Sequence, residues 1–201
     1  ANLERAQASE WAAEGADLSR ARLCGAMLAY ADLSGALLEG ADFTAANLNH
    51  ADIGGAKAER ACFERCVAPD LRAAERTNLS DAKLVLMEAP NAQLQEAIAF
   101  RANFAGSNLA GADLSDAVLC ESNFVRCRLE GAKFARADLK FAQLLQANLF
   151  EADLEQADLR EADLRGAHLF SAQLWRALTD GTRFEGANVG RTHLEGRWRS
   201  A

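Results

Sequence analysis

The 201 residues carry 29 acidic against 22 basic side chains, a net charge of −7, which argues against a grip on nucleic acid or on an anionic membrane surface. Half of the chain is apolar but only 7% is aromatic, so a core has to be built from Ala and Leu, and no run approaches the roughly 18 apolar residues of a membrane span. The five cysteines, Cys24, Cys62, Cys66, Cys120 and Cys127, form no Cys-x-x-Cys pair, which excludes a zinc ribbon or a redox dithiol and fits reduced thiols inside a cell.

The chain opens at Ala1-Asn2-Leu3 and repeats that pattern to its end. Alanine returns every fifth residue, followed by Asp or Asn, then Leu or Phe, then two variable positions; the stretch Ala147–Leu169 is the most regular. A period of five fits neither a helix nor an ordinary strand. With the third residue of each unit as its centre, centres fall at 3, 8, 13 and on to 73, then at 79, 84, 89 and on to 194. The register slips by one residue within 66–77, which also holds Pro69. The whole of 1–201 is therefore expected to be one solenoid: a first register over 1–75, the slip, a second register over 77–196, and a tail at 197–201. The absence of an initiator methionine and of a signal peptide leads us to expect a domain of something longer or a processed chain.

In extended backbone, residues two apart point the same way. The Ala and the centre then share an inner face, and the Asp or Asn between them points out. A chain that keeps this up while turning at every unit wraps around its own core. The phenylalanines give the number of sides: Phe43 to Phe63 and Phe104 to Phe124 are each four units apart, Phe124 to Phe184 is three times that, and Phe63 to Phe104 is eight units plus the slip. A coil of four sides, one unit to a side, places Phe43, Phe63, Phe104, Phe124 and Phe184 in one core column, where rings in neighbouring coils can stack. About ten coils at the strand spacing of roughly 4.8 Å make a rod of about 45–50 Å. Small centres at Ala58, Ala68, Ala73, Ala89 and Ala99 are expected to leave voids unless neighbours fill them. Trp11, in an inward Ala position, and Trp198 are expected at the two ends of the lumen.

Tandem A(D/N)LXX over 1–196 resembles the pentapeptide-repeat family. The resemblance implies an all-β fold, a right-handed quadrilateral β-helix. It implies no single activity, although some members bind DNA gyrase and protect it from quinolones.

No nucleophile–base spacing, metal-ligand set or cofactor motif stands out among His50, His168, His193 and the cysteines, so no enzyme, cofactor or metal is expected. Two surface features exceed what the repeat demands. Between Leu23 and Ala56 there is no Lys or Arg, while Asp32, Glu39, Asp42 and Asp52 are present; these form a candidate acidic face. In the second half, Phe150 and Phe170 stand four units apart just after a centre, with Phe141, Leu145 and Trp175 nearby in sequence; these form a candidate interaction patch. The principal expectation is a non-enzymatic protein-interaction scaffold, part of a bacterial effector or secretion-associated protein, with an unknown protein partner or a second copy. The alternative, implied by the resemblance, is a DNA-mimicking modulator of gyrase. Neither reading involves direct nucleic-acid binding or membrane insertion, and a bacterial cytoplasmic or secreted setting suits both.

Overall fold

The computed structural model describes residues 1–194. Each unit of the repeat makes one side of a four-sided coil. The outward Asp/Asn slot of every unit pairs in parallel with the slot one coil on, and these pairings line up in four ladders. The first side runs from Asn2 through Arg22 to Arg183, the second from Gln7 to Asn188, the third from Ala12 to Gln173, and the fourth from Asp17 to Leu178. We number each corner after the side it follows.

One unit accounts for all of its backbone donors. In the unit Ala41–Ala45, the slot amide of Asp42 donates to Ala21 in the coil below (2.9 Å), and the centre amide of Phe43 donates to Cys62 in the coil above (2.7 Å). The second corner residue, Ala45, donates upward to Glu64 (2.8 Å), and the next inward Ala, Ala46, closes the turn onto Phe43 (2.8 Å). The first corner amide, on Thr44, is taken by the Asp42 carboxylate (3.0 Å). All 17 Asp and Asn in the slot, from Asn2 to Asn188, accept from the amide two residues on in this way. That explains the residue choice: a short acceptor side chain satisfies the one donor that the coil leaves over.

The second corner residue is left-handed throughout, at Arg5, Glu10 and Gly15 for example, with φ between 54° and 71°, as a type II turn requires. Pro69 and Pro90 both stand at the first corner residue, where φ near −65° is favoured. They follow Val67 and Glu88, slots that offer no Asx acceptor.

The extra residue lies in one corner. Bridge partners stand four units apart up to Asp52↔Arg72, four units and one residue apart from Lys57↔Asn78 to Arg72↔Gln93, and four units apart again from Asn78↔Ile98 onward. Ala74, Glu75 and Arg76 thus fill a corner that elsewhere takes two residues, and Glu75 and Arg76 are both left-handed (59° and 62°). Directly beneath sit Gly54 and Gly55. A Cβ on Gly54 would stand 3.8–4.0 Å from Glu75 and Ala74, and one on Gly55 3.8 Å from Glu75, ordinary contact with the widened corner, while the one on Gly54 would come 3.0 Å from the Asp52 carboxylate of its own unit.

Inside, the inward and centre residues are buried along the chain from Leu18 to Leu174. Phe43 stacks on Phe63 at 5.0 Å, and Phe104 on Phe124 at 4.7 Å, with planes within 4°. Phe134, on the opposite third side, meets Phe124 edge-on across the lumen at 6.0 Å. Where a polar residue replaces the inward Ala, it bonds a centre carbonyl: Cys66 donates to Phe43 (2.9 Å), Cys127 to Phe104 (2.8 Å), Thr182 to Leu159 (2.7 Å), and Ser107 to Leu84. The small centres do not leave large voids. The cavity lined by Phe63, Leu79, Leu84, Met87, Ala89 and Phe104 amounts to about 10 Å³, because Leu71 and Met87 stand in inward Ala positions beside Ala73 and Ala89 and fill the space. At the N-terminal coil, Leu3, Ala8 and Trp11 border an open hollow of about 260 Å³. Trp198 and the tail at 197–201 lie outside the described residues, as does the end of the second register.

Candidate protein-interaction surface

The coil decides which outward residues meet. Phe150 and Phe170 occupy successive rungs of the second corner, and their rings are parallel within 2° at 6.1 Å. They are half-buried rather than fully exposed. His168, from the second side, lies against both rings at 5.8 and 6.5 Å. Its Nδ1 stands 3.1 Å from Asn148 Oδ1. That oxygen also accepts from the Phe150 amide, so the imidazole donates through Nδ1. Asn148 Nδ2 in turn donates to Glu130 Oε1 at 2.8 Å, one rung below Phe150. Arg191 covers the Phe170 ring at 5.3 Å. Above the ring comes Gly190, where a Cβ would stand 3.0 Å from Phe170 Cδ2. The result is an ordered column of two phenyl rings, an imidazole, an amide and a carboxylate.

The other members of the expected patch do not join it. Leu145 sits at the first corner, Trp175 at the third and Phe141 at the fourth. Neighbours in sequence are a quarter-turn apart, so one patch holding all five does not exist. Phe141 and Trp175 are exposed (57% and 61%) but stand separately.

The expected acidic face also disperses. Asp32 and Asp52 are adjacent rungs of the third side, Asp42 is on the first side, and Glu39 is at the fourth corner. The run without cations is interrupted in three dimensions by arginines from neighbouring coils. Arg72 stands 3.2 Å from Asp52, Arg60 stands 3.5 Å from Glu39, and Arg22 is the rung below Asp42. The Ser34 hydroxyl and amide hold the Asp32 carboxyl below its usual range. Further along, Arg160 and Arg165 do the same for Asp158 and Asp163. These are local ion-pair ladders, with no field of one sign.

Burial pushes the thiols of Cys66 and Cys127 up to about 12, and that of Cys120 to about 11. None of the three is a ready nucleophile at neutral pH. Among the described residues no group of His, Cys, Asp and Glu has the geometry of a metal site. His50 stacks on Tyr30 at 4.9 Å, with the Asp70 carboxylate 3.8 Å away, a second ordered column at the same second corner.

Sequence reasoning passed over the fourth side. Its slots include Leu37, Ile98, Val118 and Leu178, and Val118 and Leu178 are exposed (39% and 48%). The signal was available: apolar residues in a slot meant for Asp or Asn, with Ile98 and Val118 one full coil apart.

The family model for pentapeptide repeats matches in eight copies, over residues 1–40, 28–65, 77–116, 90–124, 100–134, 112–149 and 147–177. Among solved structures, the chain is similar to Rfr23, a pentapeptide repeat protein from the cyanobacterium Cyanothece 51142, at 34% identity and a TM-score of 0.45. That match covers 49% of this chain and 64% of Rfr23, so the chain spans somewhat less than two thirds of that relative. It is also similar to HetL, a pentapeptide repeat protein involved in heterocyst differentiation regulation in Nostoc sp. strain PCC 7120, at 28% identity over 97% of this chain and 87% of HetL, with a TM-score of 0.46. QnrB1, a plasmid-mediated fluoroquinolone resistance protein, matches at 16% identity over 88% of this chain and 90% of its own, with a TM-score of 0.44. No curated protein matches the chain.

Proposed function

We propose that this chain, which belongs to the pentapeptide-repeat family, is a non-enzymatic rod that binds another protein through its second corner. Members of the family fold as right-handed quadrilateral β-helices, and among the described residues the first-side ladder has ten rungs, from Asn2 to Arg183. The observation that carries the reading is the Phe150–His168–Phe170 column. The repeat asks for nothing apolar at a corner, yet two phenyl rings stand there in register, with the Asn148-bonded imidazole of His168 against both and Gly190 leaving room above Phe170. Rigid aromatic groups with a polar rim are the usual anchors of protein interfaces. A gyrase-directed DNA mimic would need a continuous acidic face, and the dispersal of Asp32, Glu39, Asp42 and Asp52 speaks against it.

The test is capture of partners from a cell extract on immobilised wild-type chain and on the Phe150→Ser/Phe170→Ser variant. Both rings lie outside the core, so the variant is expected to fold. We expect a protein retained by the wild type to be lost from the variant, with affinity falling at least about 30-fold, as for a hot spot of about 2 kcal/mol. Equal retention by both would rule out the second corner as the contact.

A further inference from the structure

We infer that the fourth side is a self-complementary face on which a second copy of this chain docks antiparallel. After Asp17 its ladder continues with eight rungs that read Leu37, Lys57, Asn78, Ile98, Val118, Asp138, Asp158, Leu178. Reversed about the step between Ile98 and Val118, the order matches itself in chemistry. Ile98 faces Val118 of the other copy, Asn78 faces Asp138, Lys57 faces Asp158, and Leu37 faces Leu178. A two-fold axis along the strand direction, lying between the two faces, produces these pairings, each occurring twice as an isologous contact requires. The eight rungs span seven steps, about 34 Å at the strand spacing.

The same rotation sets the fourth corners against each other. Phe100 then faces Cys120, and Glu59 faces Arg160. Phe100 and Cys120 are both half-buried, so with Ile98 and Val118 they make a continuous apolar centre. Around that centre Lys57 against Asp158 and Glu59 against Arg160 oppose in sign, while Glu39 against Asp180 on the fourth corner and Arg76 against Arg136 on the third are like-charged. Lys57 is exposed and has no ion-pair partner among the described residues. Asp158 is already paired with Arg160 through both carboxylate oxygens (2.9 and 2.6 Å), so Lys57 of the other copy would reach it as a second cation. Along the third corner Glu96 faces Asp116, a like-charged pair, but Asp116 is already neutralised by Arg136 at 2.7 Å. The other three sides lack such a pattern. The first side carries Lys83, two Asn and Gln143 where the fourth carries its aliphatic step, and the third carries Gln93, Asp113 and Lys133.

This inference goes beyond the second-corner reading and does not rest on it. The fourth side lies opposite the second, and the second corner is diagonal to the fourth, so a dimer of this kind leaves both Phe150–Phe170 columns facing outward. The assembly would present two equal binding edges, with the avidity that bivalency brings.

Sedimentation velocity across the micromolar range tests it. The wild type is expected to dimerise, and Val118→Glu is expected to weaken the dimer at least about 30-fold. Lys57→Asp and Asp158→Lys are each expected to weaken it by setting like charges face to face, and combining them is expected to restore it. The two positions are five coils apart within one chain, so that rescue can arise only between chains in the antiparallel register. Unchanged thermal melting of Val118→Glu checks that the coil is intact. The Phe150→Ser/Phe170→Ser variant is expected to remain dimeric, which separates this face from the partner-binding one. A wild type that stays monomeric, a dimer indifferent to Val118→Glu, or a double charge swap no better than either single change would each overturn the proposal.

Discussion

Replacing Phe124 by Ala is expected to cost about 3–5 kcal/mol, read as a fall in the midpoint of urea unfolding. Phe124 is fully buried. Its ring lies parallel to Phe104 at 4.7 Å and meets the edge of Phe134 at 6.0 Å, so one deletion removes a stacked pair and an edge contact together. The walls of the lumen are backbone ladders joined coil to coil, and they cannot collapse inward to fill the gap, which places the cost toward the upper end of the range. In a solenoid each coil is stabilised mainly by its neighbours, so the loss should also uncouple the coils on either side and broaden the transition. A cost below about 1 kcal/mol would mean that the column is not packed as described.

Asn123→Pro should be the most damaging single change in the outward slot, at about 3 kcal/mol or more. The Asn123 amide donates to Ala102 in the coil below at 2.9 Å, and its side chain holds the amide of Val125 at the same distance. Proline removes both in the middle of a ladder. Ala29→Pro should do the opposite and stabilise the chain by about 0.4–1 kcal/mol. Ala29 stands at the first corner residue after Met27, a slot that offers no acceptor, in the same column as Pro69 and Pro90. The pair of variants separates two kinds of position that are only two places apart in the repeat, and thermal melting of both reads the difference directly. Equal effects would contradict the donor accounting on which the fold rests.

Much of this architecture is written in the spacing. The recurring Ala and centre residues give the inner face, the four-unit steps between Phe43 and Phe63 and between Phe104 and Phe124 give the number of sides, and the family match over most of the chain agrees. The slip is legible to within 66–77. Its place at 74–76 is not, because it is set by which slots pair from coil to coil, and contact between coils is invisible in a linear reading. The site was less legible for the same reason. Phe150 and Phe170 share a column because one whole coil separates them, whereas Phe141, Leu145 and Trp175 are close in sequence and fall on three other corners. The acidic run failed in the same way: Arg60 and Arg72 lie outside it in sequence and against it in space. Ile98 and Val118 could have been found by asking which slots lack Asp or Asn, side by side, rather than by looking for aromatics.

Native-state hydrogen exchange, resolved amide by amide, tests the central claim that every outward column is set by one continuous four-sided coil. Slot, centre and second corner amides of the inner coils, such as those of Asp42, Phe43 and Ala45, should exchange slowly. The first corner amide should be slow behind Asp or Asn, as at Thr44, and fast where the slot offers no acceptor, as at Ala29 and Ala135. Protection with this period of five, shifted by one residue after Ala74–Arg76, is the expected result. Protection without that period, or a block of unprotected amides dividing the chain, would contradict it.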